Sequence, residues 1–328
     1  MSEKILSISI AAYNVENVIN DCLDSICLCQ CIDDLDVIIV DDGSIDKTVE
    51  IVNSYVYRFP SSIKLVKKEN GGHGSTINTS LNIARGKYFK VLDGDDWVNP
   101  TELDKLIKFL KNTAIDLVIN PFNEIYNDRV NLVSILKDIK LDSPYTLKDL
   151  EELDYLPMHS ITVKLDTYKQ CNLNISEHRF YVDTEFVYFV LSSIKSVIFR
   201  DDIVYQYRLN QLNQSVSWNG LYSHIEDYID VLKRLILLYE TNEIDNIYRR
   251  KILFRLLNSR YKLLFYWYTN FEMSDKDYLL KCTDIELLDK HSKLLTLMDL
   301  GIYRVIRINY LLILSIFRSI RKICNWFK

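Results

Sequence analysis

At 328 residues and 38.7 kDa, with 48% apolar and 26% charged side chains, the chain has room for one large domain or two medium ones and the composition of a globular protein. Eight glycines and five prolines exclude collagen-like and proline-rich architectures, and a formal net charge of −5 argues against a general nucleic-acid binder. The charge is uneven, because residues 301–328 hold six Lys/Arg and no Asp or Glu while the body before them carries the acidic excess.

The first 125 residues alternate strand and helix patterns. Ile5–Ala12 predicts a buried strand, and Asn14 is placed to cap a helix with Val15, Val18, Ile19, Cys22, Leu23 and Ile26 at helical spacing. The opening MSEKILSISIAAYN shows no secretory pattern, and seven cysteines leave one unpaired, so a cytosolic chain with reduced thiols is expected. The spacing of Cys22, Cys27, Cys29 and Cys31 fits no common structural zinc pattern. Leu35–Val40 reads as a second strand ended by Asp41-Asp42-Gly43-Ser44, and Val49, Val52 and Val56 mark the next helix.

Ile63–Val66 makes a third strand, after which Gly71-Gly72-His73-Gly74 breaks the chain. Ser75–Arg85 reads as a helix with Ile77, Leu81 and Ala84 inward and Gly86 as its stop. Tyr88–Leu92 is the fourth strand, ended by Asp93-Gly94-Asp95-Asp96, and Asn99-Pro100 opens a helix with Leu103, Leu106, Ile107 and Leu110 on one face. Asp116–Ile119 begins a fifth strand. Strands separated by helices imply right-handed crossovers and a mainly parallel sheet, whose ligands sit outside the carboxyl ends of the strands.

Past residue 130 the alternation weakens. Residues 197–218 predict a short strand pair and a polar loop, and from Tyr222 the pattern is helical, with Ile229, Leu232, Leu235, Ile236 and Tyr239 on one face. This divides the chain into an α/β domain over 1–218 and a helical region over 219–328. At its end, Ile308–Phe317 is apolar but too short to span a hydrocarbon core of about 30 Å. Basic residues bracket it, so residues 301–328 predict a helix lying at a membrane surface; packing on the domain or on a second subunit is the alternative.

Three strand ends carry the polar clusters Tyr13-Asn14, Asp41-Asp42-Gly43-Ser44 and Asp93-Gly94-Asp95-Asp96. Neither G-x-G-x-x-G after the first strand nor G-x4-G-K-[ST] occurs, which disfavours the ordinary dinucleotide and P-loop folds. Carboxylates as close as Asp93, Asp95 and Asp96 repel one another unless a hard cation joins them, and Mg2+ completes such a shell with water and phosphate oxygens. An acidic turn that merely precedes the Asn99-Pro100 helix reads equally well from these residues alone. An Asp after the second strand can accept from a base N–H, and the loop of Asn70 to Gly74 before a helix suits phosphate oxygens.

Together, SISIAAYN, VIIVDDGSID, ENGGHGSTIN and KVLDGDDW, in this order, resemble the family 2 glycosyltransferases of the GT-A fold over roughly residues 4–215. The resemblance implies a Rossmann-like, mainly parallel sheet flanked by helices, followed here by the helical region. It implies inverting transfer of a sugar from a UDP-sugar to a glycan hydroxyl, with Mn2+ or Mg2+. By the same resemblance Ala11 and Tyr13 line the nucleobase pocket, Asp42 binds uracil, and Asn70, Gly72 and His73 touch the nucleotide. Asp93 and Gly94 face its ribose side, Asp95 binds the metal, and Asp96 lies near the donor sugar. Many relatives carry Arg-Asn where this chain has Ile77-Asn78, which leaves His73, a lysine, or metal and backbone to meet the diphosphate.

The acceptor-side base of the family matches Asp183, with Val182 in place of the usual preceding Glu and Glu185 as the alternative. His159, His178 and Arg208 are candidates for acceptor or diphosphate contact, each with a structural role as the plainer reading. The stretch from Tyr205 to Ser217 resembles a lid that closes the catalytic domain in some polysaccharide enzymes. The expected partners are a UDP-sugar and a surface-polysaccharide, lipid-linked or glycoprotein acceptor, at the inner face of the cell membrane, as monomer or homo-oligomer. A non-catalytic nucleotide-sugar-binding or partner-binding module is the alternative; nucleotidyl transfer lacks its triphosphate loop.

Overall fold

A computed structural model describes residues 4–135, 139–153, 155–209, 218–241 and 244–270. In chain order the elements that build the first unit begin with β1 (Lys4–Ala12), α1 (Ile19–Cys27), β2 (Leu35–Asp41), α2 (Thr48–Arg58), β3 (Ile63–Lys67), α3 (His73–Ile83) and β4 (Gly86–Asp93). There follow β5 (Trp97–Val98), α4 (Pro100–Lys111), β6 (Leu117–Ile119), β7 (Phe122–Ile125), β8 (Val130–Val133) and β9 (Pro144–Thr146). The unit closes with β10 (Ile161–Lys164), α5 (Leu165–Lys169), α6 (Asp183–Ser193), β11 (Ser196–Phe199) and β12 (Tyr205–Arg208).

The large sheet has the order β3-β2-β1-β4-β10-β6-β11-β9. Its first four strands are parallel and β10 runs antiparallel to β4 and β6. The alternation of Leu6, Ile8 and Ile10 with Ser7 and Ser9 explains how β1 sits at its centre. The apolar set joins Ile19, Leu23 and Ile26 of α1, Val52 of α2 and Leu103, Leu106 and Leu110 of α4 in one buried cluster. The serines face the other way, where Ser9 Oγ meets Ser80 Oγ of α3 at 2.8 Å and lets that helix approach closely. The Asn99 cap forms as expected, its side chain accepting from the Thr101 and Glu102 N–H groups.

Three expectations are corrected. Helix α1 starts at Ile19, not beside Asn14, because Asn14 has φ +53° and its Oδ1 accepts from Ile45 N across the site edge. Helix α3 starts at His73 and ends at Ile83, and Gly86 opens β4. The segments at 196–199 and 205–208 do not pair with each other: β11 joins the large sheet, whereas β12 lies inside a second sheet of order β5-β12-β7-β8. The first unit holds the described residues up to 151 and 155–209; the second holds 152, 153, 218–241 and 244–270. In the second unit α7 (Trp218–Ser223), α8 (Ile225–Thr241) and α9 (Ile247–Asn270) follow in sequence, with Ile229, Leu232, Leu235 and Tyr239 buried on α8. The predicted tail helix at 301–328 and the lid residues 210–217 lie outside the described residues.

Candidate active site

Parallel pairing puts the ends of β1, β2 and β4 side by side. Ala12 pairs with Asp41 and Ala11 with Asp93, so Tyr13, Asp42 and the acid cluster come to one edge. Tyr13 is half exposed there. Asp42 is buried and organises the next loop: its carboxylate accepts from Gly71 N at 2.9 Å, Gly72 N at 2.8 Å, Lys68 Nζ at 2.9 Å and Ser75 Oγ at 3.3 Å. Asn70 Nδ2 donates to the Asp42 carbonyl. Gly72, the residue before α3, has φ +80°, a conformation that favours glycine. His73 thus opens the helix at the end whose first N–H groups lie outside the intrahelical ladder.

The turn after β4 brings three carboxylates together. Gly94 N donates to Ala11 O, and a Cβ at Gly94 would stand 2.6 Å from that oxygen, so only glycine fits without a shift. Asp96 is fully buried; Tyr205 Oη donates to its Oδ2 at 2.6 Å and Arg208 N to its Oδ1 at 2.7 Å. Burial and the neighbouring Asp93 and Asp95 push the Asp96 carboxyl well above its ordinary range. Asp95 is raised to about 6 by burial and by Asp93. Burial works against Asp93 as well, yet His73, with Nε2 3.1 Å from Asp93 Oδ1, holds it below the usual range. In return burial opposes a charge on His73, but Asp93, with Asp183 and Asp95 beyond it, outweighs that and lifts the imidazole.

His159 joins Asp93 and Asp96, but not Asp95, in a group whose ligand atoms lie close enough to share one ion. One ligand atom each from Asp93, Asp96 and His159 lie within 4.8 Å of one another. Its ring stacks on Tyr207 at 4.3 Å and meets Tyr205 edge-on at 4.6 Å, and Nδ1 is buried without a hydrogen-bond partner. Burial drops this imidazole to about 4 against the pull of Asp93, so it is neutral. Asp183, the first residue of α6, acts electrostatically on both His73 and Tyr207 and so belongs to the same face.

The remaining candidates separate. Glu185 is fully buried and accepts from Ser176 N and Ser176 Oγ, which fixes the segment before α6. His178 is exposed at φ +53°, and its backbone N–H, not its ring, meets the glycine loop by donating to Gly71 O. Arg208 ends a strand interior to its sheet, not an edge strand. Its guanidinium lies 4.6 Å over Trp97 and donates to Asp95 O and Asp21 Oδ2, which ties the acid turn to α1. Ile77 is fully buried and Asn78 brackets the backbone of Ile175, so neither takes the place of the missing arginine. Sequence reading gave Tyr205 and Tyr207 a place only in the lid-like stretch and gave no role to Lys90. Lys90 alone carried a signal, a lysine between the apolar residues Phe89 and Val91. Cys22, Cys27, Cys29 and Cys31 are free thiols, with Cys29 Sγ donating to Asp104.

Residues 7–161 match the family described as Glycosyl transferase family 2. The chain is 29% identical over 213 residues to the uncharacterized glycosyltransferase EpsJ of Bacillus subtilis, covering 63% of this chain and 61% of EpsJ. It is 38% identical over 115 residues to the chondroitin synthase of Pasteurella multocida, covering 35% of this chain and 12% of that enzyme. The chain therefore spans less than two thirds of either relative. A crystal structure of residues 1–349 of Staphylococcus aureus TarS with UDP-GlcNAc superposes with TM-score 0.63 at 20% identity, over 78% of this chain and 72% of that one. The likeness bears on the α/β fold, which is the one expected.

Proposed function

Residues 7–161 form a family 2 glycosyltransferase domain, and from that premise we propose that the protein moves a sugar, with inversion, from a UDP-sugar to a hydroxyl of a glycan acceptor. The observation that carries the reading is the convergence of three strand ends and the N-termini of α3 and α6 on one acid cluster. UDP as the carrier is supported by TarS, which binds UDP-GlcNAc and UDP.

The uracil side of the donor lies along Ala11, Tyr13, Asp42 and Asn70. The diphosphate lies at the N-terminus of α3, beside Gly72 and His73, whose imidazole Asp93 lifts against the opposing effect of burial. Asp93 and Gly94 face the ribose. A divalent ion, Mn2+ or Mg2+, fits the donor set: crowded carboxylates, one held up to about 6, surround a neutral imidazole with an orphan nitrogen. Asp93, Asp96 and His159 would hold it together, with Asp95 of the same turn as the ligand the family resemblance implies, and when bound it would offset the charge of the departing diphosphate. Tyr205 and the Arg208 backbone keep Asp96 oriented. Asp183 takes the acceptor proton as the hydroxyl attacks, while Glu185 shapes the turn that carries it.

Contact of residues 301–328 with a membrane surface belongs to the same proposal; among the described residues no helix is long and apolar enough to cross a membrane. The deciding experiment is Asp183→Asn assayed with a panel of UDP-sugars and glycan acceptors. Transfer is expected to fall about 10²–10⁴-fold with donor affinity kept. Undiminished transfer would remove Asp183 as the base, and absence of transfer by the wild type with every donor would favour a binding module.

A further inference from the structure

Lys90 lies in the middle of β4, 1% exposed, a position at which lysine is rare. Among the described residues no carboxylate pairs with its side chain. Nζ donates to the carbonyl of His159 at 2.7 Å and to that of Ile161 at 3.2 Å, and it lies 5.6 Å from the centre of the Tyr205 ring. Burial lowers it to about 7, so the site keeps this group at a cost that an apolar residue would not incur.

The strand register shows what the ammonium supplies. β10 pairs antiparallel with β4 only at Val163↔Phe89 and Lys164↔Tyr88. Continued four residues along β4, that register sets His159 opposite Asp93, but pairing to β4 stops at Val163, while on its other edge β10 goes on pairing with β6 through Ile161. The 159–161 segment is thus held to β4 by the Lys90 side chain, across the gap where backbone pairing has stopped. The same ammonium faces the ring of Tyr205, whose hydroxyl binds Asp96.

We propose that Lys90 is a positioning residue that, through the carbonyl of His159, sets the imidazole against Asp93 and Asp96 as one face of the donor-metal site. The inference rests on the metal reading above, and its test separates the two. Lys90→Met keeps the stem and removes the ammonium. Crystals of the variant are expected to show the His159 ring displaced from the two carboxylates, and calorimetric titration of the full chain with Mn2+ and UDP is expected to show affinity lowered about 10–100-fold. In the double variant Lys90→Met/His159→Ala, Mn2+ affinity should equal that of His159→Ala alone.

An undisplaced ring in Lys90→Met overturns the proposal, as does a loss of Mn2+ affinity that adds to that of His159→Ala. Absence of Mn2+ binding by the wild type overturns the metal reading instead, and the ring position then decides the role of Lys90 by itself. Should Lys90→Met fold poorly, Lys90→Leu, which likewise removes the donor, carries the same crystallographic readout.

Discussion

Replacing Asp42 by Asn tests whether this carboxylate is first an anchor of the glycine loop. Its two oxygens accept from two backbone N–H groups, one ammonium and one hydroxyl. An Asn side chain retains a single acceptor oxygen and turns an NH2 toward an N–H it used to satisfy. Losing one charge-assisted bond and stranding that N–H costs about 2–4 kcal/mol. Lys68, a quarter exposed, is partly screened and adds little. With a urea slope of about 3 kcal/mol per molar for a unit of this size, the midpoint should fall by about 1 M at unchanged slope. Donor affinity should fall with it, since the same bonds hold the N-terminus of α3. An unmoved midpoint with weakened UDP binding would refute this reasoning and assign the carboxylate to the base alone.

Three further outcomes follow from the acid turn. Mn2+ affinity should decline as pH falls through about 6, because a proton on Asp95 competes with the ion, and binding near that pH should release a proton measurable in buffers of different ionisation enthalpy. In the metal-free chain the sign for stability is opposite in sense: the folded state keeps a proton the unfolded state has lost between 3.8 and about 6, so Asp95 makes stability decline as pH rises across that window, which denaturation at a pH series reads directly. Gly94→Ala drives a methyl to 2.6 Å from Ala11 O and displaces the turn, so kcat/KM should drop about 10²-fold; wild-type kinetics would show that the turn tolerates the shift.

Much of the first unit could be read from sequence because β1, β2 and β4 are central strands whose apolar runs end in polar clusters, and parallel pairing leaves those ends nowhere but together. Asp93, Asp95 and Asp96 were legible for the same reason. What was not legible depends on contacts between distant residues. Nothing in the local pattern of Met158 to Ser160 reveals that His159 lies against residues some sixty positions earlier, or that Tyr205 donates to Asp96. Asn14 misled because a good capping residue also tolerates φ +53° and can bridge to Ile45 instead. Glu185 illustrates the reverse case: a carboxylate in the right stretch whose partners, Ser176 N and Oγ, make it a brace.

The second sheet has a consequence for how the protein comes into being on the ribosome. The buried carboxylate of Asp96 is satisfied by Tyr205 Oη and Arg208 N, more than a hundred residues downstream and beyond the stretch that matches the family. A nascent chain released only to β11 can pair all of the large sheet, including the edge where β1, β2 and β4 end, while the acid turn still lacks the strand that closes it. Competence would therefore arrive late and abruptly, with β12. Truncation or slow folding near residue 205 would leave a domain with its frame built and its chemistry unassembled.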